Sequence, residues 1–298
     1  MIFRAKGCRQ IMNIYEVIVD IIEFFVLPES VFVLAGMVIL GNWLLKTSFG
    51  RKALVDTPVR RNCIAPYLPF VPLFVYIIVP ALGVEILDKI AAIPAGWQKV
   101  FYEHFVIIVI VLMTIVSTLV LAKIFFVRGL KGFGLNFRTI GRDFGAAIIN
   151  LLSVWPVIMV LVIITAEAGR IFYGPDFQIK PHEELELLRD YSQLPVLLAV
   201  FFVAVVLAPV IEELIFRGLF QTLFVSFTGR AWLSIAISSA FFVMTHLNSQ
   251  HWPGLFALSM AMGYSYEKSG SLFRPIFIHA FFNATSVAVT WLQTTNIR

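Results

Sequence analysis

The chain has 298 residues, of which 59% are apolar and 14% are charged, and it contains 29 phenylalanines. Soluble domains average about 45–50% apolar and about 25% charged residues, so this composition excludes an ordinary globular protein and predicts one that faces lipid. The net charge of +5 comes from basic residues in short segments between apolar runs, which indicates membrane topology and no nucleic-acid partner.

Eight apolar segments are candidates for membrane-crossing helices. A helix needs roughly 20 mainly apolar residues to cross about 30 Å of hydrocarbon. We therefore expect an all-α, polytopic transmembrane bundle of about eight helices, of which the first and seventh candidates are the shortest. The candidates are residues 31–45, 66–87, 104–126, 144–166, 193–216, 231–247, 253–267 and 274–293.

An acidic stripe marks the segment before the first candidate. Glu16, Asp20 and Glu23 recur at positions i, i+4 and i+7 within the otherwise apolar residues 11–27. A helix with one polar face and one apolar face lies in the membrane interface. We expect an N-terminal interfacial helix there.

The charges of the loops predict their sides of the membrane. Lys and Arg are concentrated in residues 46–61 and in residues 123–142, which predicts that both loops are cytoplasmic. Residues 167–190 are predominantly acidic, so we expect that loop on the other side. In this register His246 ends an outward-running helix, whereas Glu212 and His279 fall toward the cytoplasmic side. The three side chains meet only if the helices are offset in depth, and a continuous helix over residues 193–227, about 52 Å long, would bring Glu212 near mid-depth.

Two features predict how the C-terminal helices pack. In the seventh candidate, Ala257 with Ala261 and Ser259 with Gly263 are small residues four apart, which lets helices approach closely and predicts a position inside the bundle. In the fifth candidate, Pro209 removes a backbone hydrogen bond, so we expect a bend that frees carbonyl groups just before the glutamates.

Polar side chains are concentrated in the last third of the chain. A central charge costs about 2.5–3.5 kcal/mol to insert into a membrane, so a chain keeps several there only for a reason. These residues are Glu212, Glu213, Arg217, His246, His279 and Asn283.

Helical spacing separates the two glutamates. Glu213 and Arg217 are four apart in the acid-before-base order that favours an ion pair. Glu212 lies about 100° round the helix and has no partner within its own turn. It must find a partner on another helix or be partly protonated, and a carboxylate tuned in this way is suited to act as a general base. Phe242 and His246 also share a face, so we expect the phenyl ring to orient the imidazole.

Amide hydrolysis needs an activated water and donors for the developing oxyanion. Glu212 with His246 can supply the first, and His279 with Asn283, four apart on one face, can supply the second. No cofactor is favoured. A divalent metal such as zinc, held by Glu212, His246 and His279, is the alternative. Spacing alone leaves both mechanisms open.

Three motifs in order carry a family resemblance. Glu-Glu-x-x-x-Arg at 212–217, Phe-x-x-x-His at 242–246 and His-x-x-x-Asn at 279–283 resemble the motifs of the CPBP family. That family groups the type II CAAX prenyl endopeptidases with bacteriocin-processing and Abi-type membrane proteins. The resemblance covers about residues 193–293, and residues 1–190 offer little beyond hydropathy.

The resemblance implies an intramembrane protease in a bacterial inner membrane. Its partners would be membrane lipid and a peptide or protein substrate, lipidated or not. Residues 1–190 would form an N-terminal transmembrane region with the interfacial helix, and residues 191–298 the CPBP-like catalytic core. The implied catalytic residues are Glu212, His246, His279 and Asn283, and the implied structural supports are Glu213, Arg217 and Phe242.

Other classes of protein also keep polar side chains inside a bundle. An ion- or proton-coupled transporter does so, although it more naturally shows an internal repeat with paired broken helices. A non-catalytic bacteriocin-immunity or scaffold protein is the third class. In a transporter such residues mark the ion pathway. The structural alternative for the glutamate pair is an intramembrane ion-pair network that fixes helix packing.

Overall fold

The described part of the chain is built from helices. The computed structural model describes residues 28–91, 93, 95–180 and 183–297. The interfacial helix predicted at residues 11–27 lies outside these residues. The helices are α1 (Pro28–Lys46), α2 (Phe70–Ile90), α3 (Trp97–Phe125), α4 (Gly129–Phe133), α5 (Ile140–Tyr173), α6 (Glu183–Asp190), α7 (Leu194–Thr228), α8 (Ala231–Met244), α9 (Trp252–Ser269) and α10 (Phe273–Ile297).

All eight predicted apolar segments form helices. Within the described ranges five helices are long and apolar enough to cross a membrane, namely α2, α3, α5, α7 and α10, while α1 and α8 are apolar but shorter. The predicted all-α, integral membrane class is therefore confirmed.

Loops that were predicted to share one side of the membrane contact each other. Asn62, after α1, forms a β-bridge with Phe126, after α3. At the opposite end, the His251 ring donates from Nε2 to the Lys180 carbonyl, 2.8 Å away, and so joins the turn before α9 to the acidic loop after α5. Both contacts agree with the alternation of sides derived from loop charge.

Helix α9 packs inside the bundle, as its small residues predicted. It contacts α5, α8 and α10. A Cβ atom added to Gly263 would lie 2.8 Å from Cγ2 of Ile235 in α8, so only glycine permits this approach of the two helices. Ser259 on the same helix is fully buried.

Helix α7 is continuous over 35 residues, as predicted, but it contains two π-helical segments. These are Phe202–Leu207 and Leu214–Gln221, and they flank the short α-helical stretch Ala208–Glu213 that ends on the glutamates. Such segments are rare and are often found at functional sites. Glu212 and Glu213 therefore lie near the middle of α7, between two changes of helical register.

The first π-helical segment accommodates Pro209. The Ala208 amide bonds the Val203 carbonyl, five residues back. In that register the next donor would reach the Ala204 carbonyl, but Pro209 has no N–H. The Ala204 carbonyl instead accepts a hydrogen bond of 2.7 Å from Nδ2 of Asn283. The carbonyl predicted to be freed near the acids is thus present and binds α10.

Helix α8 is shorter than a full membrane crossing. It has 14 residues, which corresponds to a rise of about 21 Å, less than the hydrocarbon thickness of about 30 Å. His246 follows two residues after its end, where its amide bonds the Val243 carbonyl in a turn.

Candidate active site

The predicted Glu213–Arg217 ion pair is present and fully buried. Nε of Arg217 lies 3.1 Å from Oε2 of Glu213, and the side chains are 1% and 0% exposed. Arg217 also donates to Oγ of Ser259 at 2.7 Å, and its guanidinium lies 4.8 Å from the centre of the Phe242 ring. Several contacts therefore satisfy this buried charge, as such a group requires.

His279 connects the two glutamates. Its Nδ1 lies 3.0 Å from Oε1 of Glu213. Because an ionised carboxylate only accepts hydrogen bonds, Nδ1 carries the hydrogen of this contact. The other ring nitrogen, Nε2, faces Oε2 of Glu212 at 3.8 Å. Glu213 thus orients the imidazole toward Glu212.

Glu212 is buried and only half satisfied. Its Oε1 accepts a hydrogen bond of 2.7 Å from the Tyr76 hydroxyl, and its Oε2 has no hydrogen-bond partner among the described residues. The partner predicted on another helix is therefore Tyr76 of α2. Leaving a buried carboxylate oxygen without a hydrogen bond costs free energy, so Oε2 favours a bound donor such as water.

Sequence reasoning missed Tyr76. The available signal was a single tyrosine in the middle of an apolar run, away from the helix ends where membrane tyrosines are enriched. That signal alone does not indicate which helix the hydroxyl faces.

The imidazole rings of His246 and His279 both contact the phenyl ring of Phe242. The Phe242 ring centre is 4.7 Å from that of His246, as their spacing predicted, and 5.7 Å from that of His279. Nδ1 of His246 bonds the Phe242 carbonyl at 2.9 Å and must be the donor. In the neutral imidazole the lone pair is then on Nε2.

Asn283 is four residues after His279, but its amide contacts the backbone of α7. Nδ2 carries two hydrogens, and one is used by the Ala204 carbonyl. The side chain therefore holds α10 against α7. The oxyanion role predicted for it concerns the second hydrogen and stays a prediction.

The alternative zinc set is not gathered in the described part of the chain. There, no three His, Cys, Asp or Glu side chains form a group that could hold a metal ion. Glu212 approaches His279, but His246 does not join them as a third ligand. These residues do not fit a metal site in this arrangement.

Comparison with known families supports the resemblance. Residues 194–285 match the family model described as type II CAAX prenyl endopeptidase Rce1-like. The matched stretch runs from α7 into α10 and contains all three motifs. The predicted resemblance is confirmed over this part of the chain. No curated protein and no solved structure matches the chain.

Proposed function

We propose that this protein is a multi-pass intramembrane endopeptidase of a bacterial inner membrane, in which Glu212 activates the water that cleaves a peptide bond. The match of residues 194–285 to a peptidase family supports the reaction class. The observation that carries the proposal is the buried Glu212 carboxylate. One oxygen is held by Tyr76, and the other faces His279 and has no donor among the described residues.

The proposed base is Oε2 of Glu212. A water bound to it would lose a proton to the carboxylate, and the resulting hydroxide would attack the carbonyl carbon of the substrate. Nε2 of His246 is the second acceptor for this water. The proton then passes to the amine leaving group as the C–N bond breaks, which yields a carboxylic acid and an amine.

His279 is the proposed donor to the oxyanion. Its Nδ1 is committed to Glu213, so Nε2 donates only when the ring is an imidazolium. Two ionised glutamates, Arg217 and a protonated His279 would together carry no net charge, which suits a buried cluster. The second amide hydrogen of Asn283 is the further proposed donor.

The proposed substrate is a peptide at or within the bilayer, and a prenylated CAAX tail is the candidate that the family description suggests. An attached isoprenoid would partition into lipid and bring the peptide to helices that are exposed there. Matched peptides with and without the prenyl group test this part separately.

The central experiment uses the full chain in lipid nanodiscs. Turnover of a quenched fluorescent peptide is compared for the wild type and Glu212→Gln, which keeps the shape of the side chain and its bond to Tyr76 but removes the base. Loss of a general base typically costs 10²- to 10⁴-fold in rate. The matched control is Glu85→Gln, because Glu85 is an exposed glutamate on α2 that pairs with Lys89. Glu212→Gln turnover within about threefold of the wild type would refute the proposal.

The same preparation separates the alternatives. Activity that is lost with a chelator and restored by zinc would move the assignment to the metal mechanism. A folded wild type that cleaves neither peptide would favour a scaffold or immunity protein, provided that Glu212→Gln retains the function of the wild type in the cell. His246→Ala is expected to slow cleavage as well, because it removes the second acceptor.

A further inference from the structure

Tyr76 is a polar group at the site that lies outside the stretch matching the peptidase family. It is on α2, and its hydroxyl donates to Oε1 of Glu212 over 2.7 Å. The matched stretch begins only at residue 194. The N-terminal region therefore contributes directly to the proposed active site.

The position of Tyr76 is determined by packing on both sides of it along α2. Leu73 and Tyr76 both pack against the main hydrophobic core. Gly83, seven residues later on the same face, meets α3 so closely that an added Cβ would lie 2.9 Å from Cδ1 of Ile110. At the start of α2 the Phe70 ring contacts the Phe220 ring of α7 edge-on, with centres 5.0 Å apart. The hydroxyl is thus presented by a helix fixed against α3 and α7.

The hydrogen bond from Tyr76 distinguishes the two oxygens of Glu212. The last torsion angle of a glutamate is broad and roughly two-fold, so an unrestrained carboxylate exchanges its oxygens freely. With Oε1 held by the phenol, Oε2 is directed toward Nε2 of His279. This oxygen, which has no donor in the part of the chain that the structure describes, then has a single orientation.

We propose that Tyr76 is a positioning residue for the reaction, which holds Oε1 of Glu212 so that Oε2 alone serves as the base. This inference rests on the proposed function. The hydroxyl acts through Glu212 and contacts no reacting atom. A loosely oriented catalytic group can cost about 10²-fold in rate, so Tyr76→Phe should lower kcat roughly 10- to 100-fold and leave KM within about twofold.

A double-mutant cycle distinguishes positioning from general structural support. If Tyr76 acts only through the base, Tyr76→Phe combined with Glu212→Gln is no slower than Glu212→Gln alone. Additive losses would overturn the inference. The matched control is Tyr264→Phe. It removes another tyrosine hydroxyl, which accepts a hydrogen bond from Trp43 of α1, and it should keep the wild-type kcat.

Failure of this inference differs from failure of the proposed function. Wild-type kcat in Tyr76→Phe with an inactive Glu212→Gln overturns only the role of Tyr76. Infrared difference spectra provide a readout that needs no turnover. Subtracting the Glu212→Gln spectrum isolates the carboxylate band of Glu212, and this band should move in Tyr76→Phe and not in Tyr264→Phe. An unmoved band would overturn the inference even if the protein cleaves nothing.

Discussion

The buried Arg217 allows a quantitative prediction about stability. Arg217→Met removes the cation and leaves Glu213 fully buried, with the Nδ1 contact of His279 as its remaining hydrogen bond. Removing one partner of a buried ion pair costs about 3–5 kcal/mol, because the other charge stays desolvated and uncompensated. We expect that loss in the free energy of unfolding.

A second variant tests the reason for the loss. Glu213→Gln combined with Arg217→Met removes both charges, so it should recover at least about 2 kcal/mol of the single-variant loss. The control is Lys89→Met, which breaks an ion pair whose side chains are 70% and 60% exposed and should cost at most about 1 kcal/mol.

The assay is equilibrium unfolding by SDS in mixed micelles, followed by tryptophan fluorescence, since the chain has six tryptophans. If the double variant is as unstable as Arg217→Met alone, the loss does not come from an uncompensated charge. The electrostatic reasoning would then be refuted.

Two further predictions concern α7 and use the same unfolding assay. Asn283→Leu leaves the Ala204 carbonyl unbonded and should lower the free energy of unfolding by about 1–3 kcal/mol. Adding Pro209→Ala restores a backbone donor and should recover part of this loss. No recovery would contradict the proposed pairing. Gly218→Ala should lower the free energy of unfolding by about 1–3 kcal/mol, because its Cβ would lie 2.2 Å from the Phe133 ring. The smaller side chain in Phe133→Leu should relieve this overlap. An equal loss from Gly218→Ala in the wild-type and Phe133→Leu backgrounds would contradict this cause.

Much of the site could be predicted because its contacts are local in sequence. The Glu213–Arg217 pair and the Phe242–His246 contact each join residues four apart, and helical periodicity alone places such residues on one face. The effect of Pro209 is also local in sequence. A proline has no N–H, so it frees a carbonyl about one turn earlier wherever the helix lies.

Contacts between helices could not be predicted, because spacing along one helix says nothing about the rotation and depth of its neighbours. Tyr76 is 136 residues from Glu212, and only the packing of α2 against α3 and α7 brings the two side chains together. The same limit applied to Asn283, whose amide contacts the α7 backbone, and to His246, whose depth depends on how short α8 is.

By itself the sequence determined the membrane class, the order of the helices and the polar motif residues of the last third of the chain. These follow from composition, segment length and period, which are properties of the chain alone. Only the tertiary structure decided which partners lie on other helices, because His279 lies between the two glutamates and Tyr76 holds one oxygen of Glu212. The unequal environments of two adjacent glutamates arise from three helices meeting at one depth, and no single segment encodes that meeting.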